Sequence, residues 1–285
     1  MIRGLTTAGL GEMGSNEEYI RLASQFGFQS IDANPLELVQ QYGKDGAVQL
    51  LESHGIMLGS FGLAVDWRTT EDSFREGLKS LTQMAEAAAA LNCTTCCTYI
   101  LPSTDLPVAP FINAATRRLR LCAEILGAYG ITLALEFVGP HHLRTQWANP
   151  LIWSMQDTLN WMETIQVRNI GLLLDSYHWH TNGLTSEDLL KLQPHQIAYV
   201  HINDAKPLPI EELLDFDRLY PGEGTIDLTG FLGSLKKIGY TGVIAQEVLA
   251  PASTQSSSEL FSRSKAGFDK VFSSLENASV INEIA

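Results

Sequence analysis

Eight short apolar runs recur along the chain, near residues 2–8, 28–33, 56–63, 93–100, 131–138, 170–177, 197–203 and 242–249. Segments with helical apolar spacing lie between them, near 16–26, 36–53, 71–91, 110–129, 151–166, 185–192 and 227–238, with a last one near 257–275. Such alternation builds a parallel sheet, because a strand that returns in the same direction needs a crossover, usually a helix. Runs such as ITLALEF and IGLLLD carry almost no polar alternation, which fits strands buried on both faces. Eight such units favour closure over an open sheet, so the chain is predicted to be an α/β protein with a single (β/α)8 TIM barrel over 1–275 and a C-terminal tail at 276–285. The 285-residue length suits one barrel and demands no second domain.

Composition narrows the partners. With 45% apolar residues the chain can bury a large core. Its 32 acidic against 19 basic residues give a net charge of −13, which repels polyanions, so no nucleic-acid partner is expected. The opening MIRGLTTAGL lacks the apolar stretch of a signal peptide, and no run is long enough to span a bilayer. The expectation is a cytoplasmic protein with no membrane partner, its assembly into a homo-oligomer left open. Cys93 and Cys96 have C-x2-C spacing, but they sit in the strand-like NCTTCCTYI without a second pair, so they read as core.

The chemistry stands where apolar runs end in polar groups: Glu136 in ALEF, Asp175 in LLLD, His201 in YVHIND and Glu247 in IAQEV. Each ends a different strand, and barrel loops gather at one mouth, so the four side chains should converge. Alternation places Thr132, Ala134 and Glu136 on one strand face and Ala245 with Glu247 on another, leaving the bulkier Leu133, Leu135 and Phe137 for the helices. Three carboxylates confined there repel one another unless a cation neutralises them. One divalent ion is therefore expected on Glu136, Asp175, His201 and Glu247, and this mixed donor set suits Mn2+, Mg2+, Co2+ or Zn2+. In DSYHWH, His178 follows Asp175 closely enough to share the mouth, as a group that orients substrate or moves a proton. The long stretch 206–225 is expected to fold over the site. Trp67, Trp179, Tyr99 and Phe137 read first as core or rim, with an apolar wall of the pocket as the alternative.

Four blocks, ALEFVG at 134–139, GLLLDSYHWH at 171–180, HINDAKPLPIE at 201–211 and DRLYPGEGTIDL at 217–228, resemble the xylose-isomerase-like TIM barrels. That family includes sugar isomerases, keto-sugar 3-epimerases and enzymes of inositol catabolism, and the blocks look most like its inosose isomerase branch. The resemblance implies the same four metal ligands, with His178 and Arg218 contacting substrate oxygens. Related epimerases often carry a further glutamate soon after the first ligand; here PHHLRTQ at 140–146 puts His142 in about that place. His142 and Trp67 join the expected substrate-binding residues.

The expected reaction is metal-dependent isomerisation or epimerisation of a sugar or cyclic polyol ketone through an enediolate, with Glu136 and Glu247 as the acid–base pair. A dehydratase of inosose type, a metal-dependent abasic-site endonuclease and a non-catalytic sugar-binding barrel are the alternatives. The substrate is expected to be an uncharged small molecule. Glu223 in PGEG would repel a phosphate, and the APASTQSSSE loop after the last strand has no Lys or Arg; Lys206 and Arg144 are the exceptions nearby.

Overall fold

The computed structural model describes residues 1–284, with side chains to 276. Its barrel strands are β1 Ile2–Leu5, β2 Ser30–Ile31, β3 in two pieces (Met57–Leu58 and Phe61–Gly62), β4 Thr95–Ile100, β5 Thr132–Phe137, β6 Ile170–Asp175, β7 Ile197–Ile202 and β8 Val243–Gln246; Ser103–Thr104 and Asn149–Pro150 form a separate short antiparallel pair in the loops. The barrel strands all pair in parallel. The two pieces of β3 form the two ends of the sheet's strand order, so the sheet curls until its edges belong to one run. This closed parallel sheet is the TIM barrel expected from the eight runs.

The covering helices are α1 Asn16–Gln25, α2 Pro35–Ser53, α3 Glu71–Ala90, α4 Val108–Gly127, α5 Met155–Ile165, α6 Ser186–Leu189, α7 Leu228–Lys237 and α8 Ser257–Ile284. Local chemistry fixes their starts. Ser15 accepts from the Glu18 amide, Asn34 caps α2 just before Pro35, and Thr70 and Ser154 cap α3 and α5. α6 is a single turn, shorter than the expected 185–192; a capping box between Thr185 and Asp188 fixes its start, and a separate 3-10 turn capped by Gln193 follows it. α8 extends past 275, and the tail expected at 276–285 falls almost wholly outside the residues whose side chains are described.

Side-chain alternation divides the core as the pattern predicts. Ala134, Leu173, Tyr199, Val243 and Ala245 fill the barrel interior. Leu133, Leu135 and Phe137 belong to the larger core beneath the helices. Where β3 breaks, a Cβ on Gly59 would collide with Ser30 Oγ and the Tyr199 hydroxyl, so the break needs a residue without a side chain. Cys93, Cys96 and Cys122 are buried free thiols, and burial pushes Cys93 up to about 12, leaving an unreactive core group. Among the described residues no helix is long and apolar enough to cross a membrane.

Candidate active site

Register brings the four expected ligands together. Asp175 on β6 is paired with His201 on β7, and His201 with Ala245 on β8. Glu247 follows β8 directly, its amide donating to Ile202 O at 3.1 Å. Glu136 reaches the same level from β5. One donor atom from each of the four lies within 4.8 Å of the others. His201 Nδ1 is 3.6 Å from both Glu136 Oε1 and Glu247 Oε2, and 3.9 Å from Asp175 Oδ2. Glu136 Oε1 and both ring nitrogens of His201 are buried without hydrogen-bond partners. Buried polar atoms are normally satisfied, so Glu136 Oε1 and His201 Nδ1, both orphaned and 3.6 Å apart, fit a cation bound among the four side chains.

Arg218, from the long loop, supplies the permanent positive charge. Its Nη1 lies 3.1 Å from Asp175 Oδ2 and 3.0 Å from Glu247 Oε2, while Nη2 donates to Asp215 Oδ1 at 2.7 Å. Burial pushes the Glu136 carboxyl up, and the nearby Glu247 charge adds to the shift against the pull of His201. At Glu247 the outcome reverses: burial is outweighed by the charges of His201 and Arg218, which hold this carboxyl well below the usual range. His178 Nδ1 accepts from the Gly139 amide at 3.3 Å, leaving Nε2 3.8 Å from Glu136 Oε1.

These groups open into a cavity of about 490 Å3 whose lining includes Tyr99, Glu136, His178, Phe216, Arg218 and Glu247. The loop at 206–225 does cover the mouth, through Asp215, Phe216 and Arg218. It is anchored by Asp204, whose carboxylate accepts from the amides of Gly222, Gly224 and Ile226 at 3.0, 2.9 and 2.8 Å. The PGEG glycines thus spend their N–H groups on the protein's own carboxylate, leaving no phosphate cradle there. An adjacent cavity of about 410 Å3 shares Leu101 and Trp147 but holds none of the ligands.

Two expected substrate contacts do not reach this mouth. Trp67 is 1% exposed and packs on Phe111 and Trp161, its indole N–H donating to Thr98 Oγ1, so it serves as core behind the adjacent cavity. PHHLRTQ folds into a helical turn at His141–Arg144, tied down where Arg144 donates to Gly139 O and Thr181 O. Leu143, Gln146 and Trp147 of this segment line the mouth, and His142 does not. Phe137 and Trp179 are likewise core, and of the four aromatic residues only Tyr99 joins the lining. The sequence reading missed Asp32, which follows β2 directly and whose Oδ2 lies 3.9 Å from His201 Nε2. It missed Asp215 as well.

A profile of the xylose isomerase-like TIM barrel family matches residues 20–265. The chain belongs to that family. A xylose isomerase domain protein from Alicyclobacillus acidocaldarius is 30% identical, with a TM-score of 0.89 over 97% of this chain and 99% of its own. An IOLI protein solved with a zinc atom superposes with a TM-score of 0.80 at 24% identity, covering 95% of this chain and 98% of that one. Inosose isomerase of Bacillus subtilis is 35% identical over 129 residues, a match spanning 45% of this chain and 44% of that enzyme. Inosose isomerase of Halalkalibacterium halodurans is 28% identical over 243 residues, 82% of each chain.

Proposed function

We propose that the protein is a divalent-metal-dependent isomerase or epimerase acting on an uncharged ketose or cyclic polyol ketone, with an inosose as the leading substrate. The observation that carries this reading is the convergence of Glu136, Asp175, His201 and Glu247 around unpartnered donor atoms at the mouth. Similarity to inosose isomerases across most of the chain supports the substrate class, and the occupied amides of PGEG argue against a phosphorylated one.

A bound Mn2+, Mg2+, Co2+ or Zn2+ would polarise the carbonyl and its neighbouring hydroxyl, lowering the cost of an enediolate. The chain's own groups do the rest. Glu136 and Glu247 approach from β5 and β8, so one carboxylate is available to remove the proton beside the carbonyl and the other to return it. His178 Nε2 faces Glu136 Oε1 at 3.8 Å, beyond a direct hydrogen bond, with room for a substrate hydroxyl to bridge the two. Arg218 offers a fixed fork of donors to substrate oxygens while holding Glu247 ionised. Asp215, Phe216 and the rest of the anchored loop exclude water from the reacting carbons.

Incubating the metal-loaded protein with free ketoses, inososes and their phosphates in deuterated water, followed by NMR, tests the proposal. The expected result is solvent deuterium at the carbon beside the carbonyl of an uncharged substrate, with loss of activity on chelation. Elimination of water would make it a dehydratase, and a much higher kcat/KM for a phosphate would overturn the substrate class.

A further inference from the structure

Asp32 approaches the ligand group from the opposite half of the barrel. Its Oδ1 accepts from the Tyr199 hydroxyl at 2.5 Å and from the Ser60 amide at 3.0 Å. Its Oδ2 faces His201 Nε2 at 3.9 Å. The imidazole is therefore bracketed: Nδ1 looks toward Glu136, Asp175 and Glu247, and Nε2 toward Asp32.

A neutral imidazole carries one ring proton, and only the nitrogen without it can hold a metal. Histidines that bind metals generally donate the other N–H to a carboxylate or carbonyl, which fixes tautomer and ring orientation. We propose that Asp32 is a positioning residue that keeps the His201 proton on Nε2 and so presents Nδ1 as the metal donor. The inference rests on reading the quartet as a metal site.

The support behind Asp32 is built for that purpose. Tyr199 lies two residues before His201 on β7, shares its inward face, and packs edge-on against the imidazole with ring centroids 5.6 Å apart. The strand that carries the ligand thus also carries the hydroxyl that holds the ligand's partner. The bare Gly59, just before Ser60, leaves room for this Asp32–Tyr199 contact. The 3.9 Å separation exceeds a direct hydrogen bond, so the hold in this structure is electrostatic; a ring shift of about 1 Å would turn it into a bond.

Zinc affinity, measured by competition with a chromophoric chelator, tests the inference without recourse to activity. Asp32→Asn should raise the Kd for Zn2+ by roughly 10–100-fold, the usual effect of losing a carboxylate behind a metal-bound histidine. Tyr199→Phe should raise it less, since Asp32 keeps the Ser60 amide. In 15N-histidine NMR of the zinc-loaded wild type, His201 should show a protonated Nε2 that exchanges faster in Asp32→Asn. A Kd within twofold of wild type in both variants, or a protonated Nδ1, would overturn the role of Asp32. If wild type itself fails to bind Zn2+, Mn2+ or Co2+, the metal reading falls first and this inference with it. Should Asp32→Asn not fold, Tyr199→Phe removes a single oxygen and carries the same test.

Discussion

The two halves of the barrel are built differently. β4, β5, β6 and β7 each run six residues, whereas β2 and each piece of β3 run two. The long strands hold Glu136, Asp175 and His201 in parallel ladders, that of β6 and β7 regular from Tyr199 to His201 after a register shift at Ile197, and β8 brings Glu247 beside them. The short strands contribute one acid, Asp32, and otherwise a break at Gly59. Groups that must share a charge to within an ångström stand on the stiff half, while the irregular half supplies support from behind.

Losing a ligand should break that division most severely. Asp175→Ala and Glu247→Ala are expected to fall from one bound ion per chain toward none after dialysis, by elemental analysis, whereas Trp67→Ala in the other half keeps its ion despite a core cost of about 3–5 kcal/mol. Full occupancy in both ligand variants would move the metal site elsewhere.

Next comes Arg218. Removing it leaves Asp175 and Glu247 buried without their cation, a cost of about 3–5 kcal/mol. Urea melts of Arg218→Ala should show that loss in chelator and recover much of it with Mn2+, while turnover stays low in both. Equal destabilisation with and without the ion would mean that Arg218 and the metal do not share the same two carboxylates.

Gly59→Ala probes the irregular half directly. The added methyl meets Ser30 and Tyr199, so stability should drop by about 1–3 kcal/mol in thermal melts. An unchanged Tm would show that the break in β3 can relax freely. The smallest effect belongs to the rim: Arg263 pairs with Glu223 at 2.6 Å, but both are partly exposed. Arg263→Ala should cost under about 1 kcal/mol, and less in high salt.

The stiff half was legible in the sequence for the same physical reason that it is stiff. Long apolar runs ending in Glu136 or Asp175 announce both a buried strand and a polar group that needs a partner. The irregular half hides its roles. SIDAN also ends an apolar stretch in an acid, yet β2 is two residues long and Asn34 immediately caps a helix, so Asp32 reads as part of a turn. Trp67 misleads because an aromatic between a strand and a helix can be rim or core, and only long-range packing on Phe111 and Trp161 decides. His142 was placed by counting along a loop, but the Arg144 clamp sets which of its neighbours reach the mouth. The loop covering was foreseeable from its length, whereas its Asp204 anchor depends on three amides 18 to 22 residues away.

The closure of the sheet through β3 sets where the barrel opens first. Both seams consist of two-residue pairings, Ser30–Ile31 against Met57–Leu58 and Phe61–Gly62 against Cys96–Cys97. Amides there should exchange with solvent deuterium sooner than those of the six-residue ladder between β4 and β5. Because the Ser60 amide that holds Asp32 lies between the seams, a zipper opening of this kind would loosen the support behind His201 while the strands carrying Glu136, Asp175 and Glu247 stay paired.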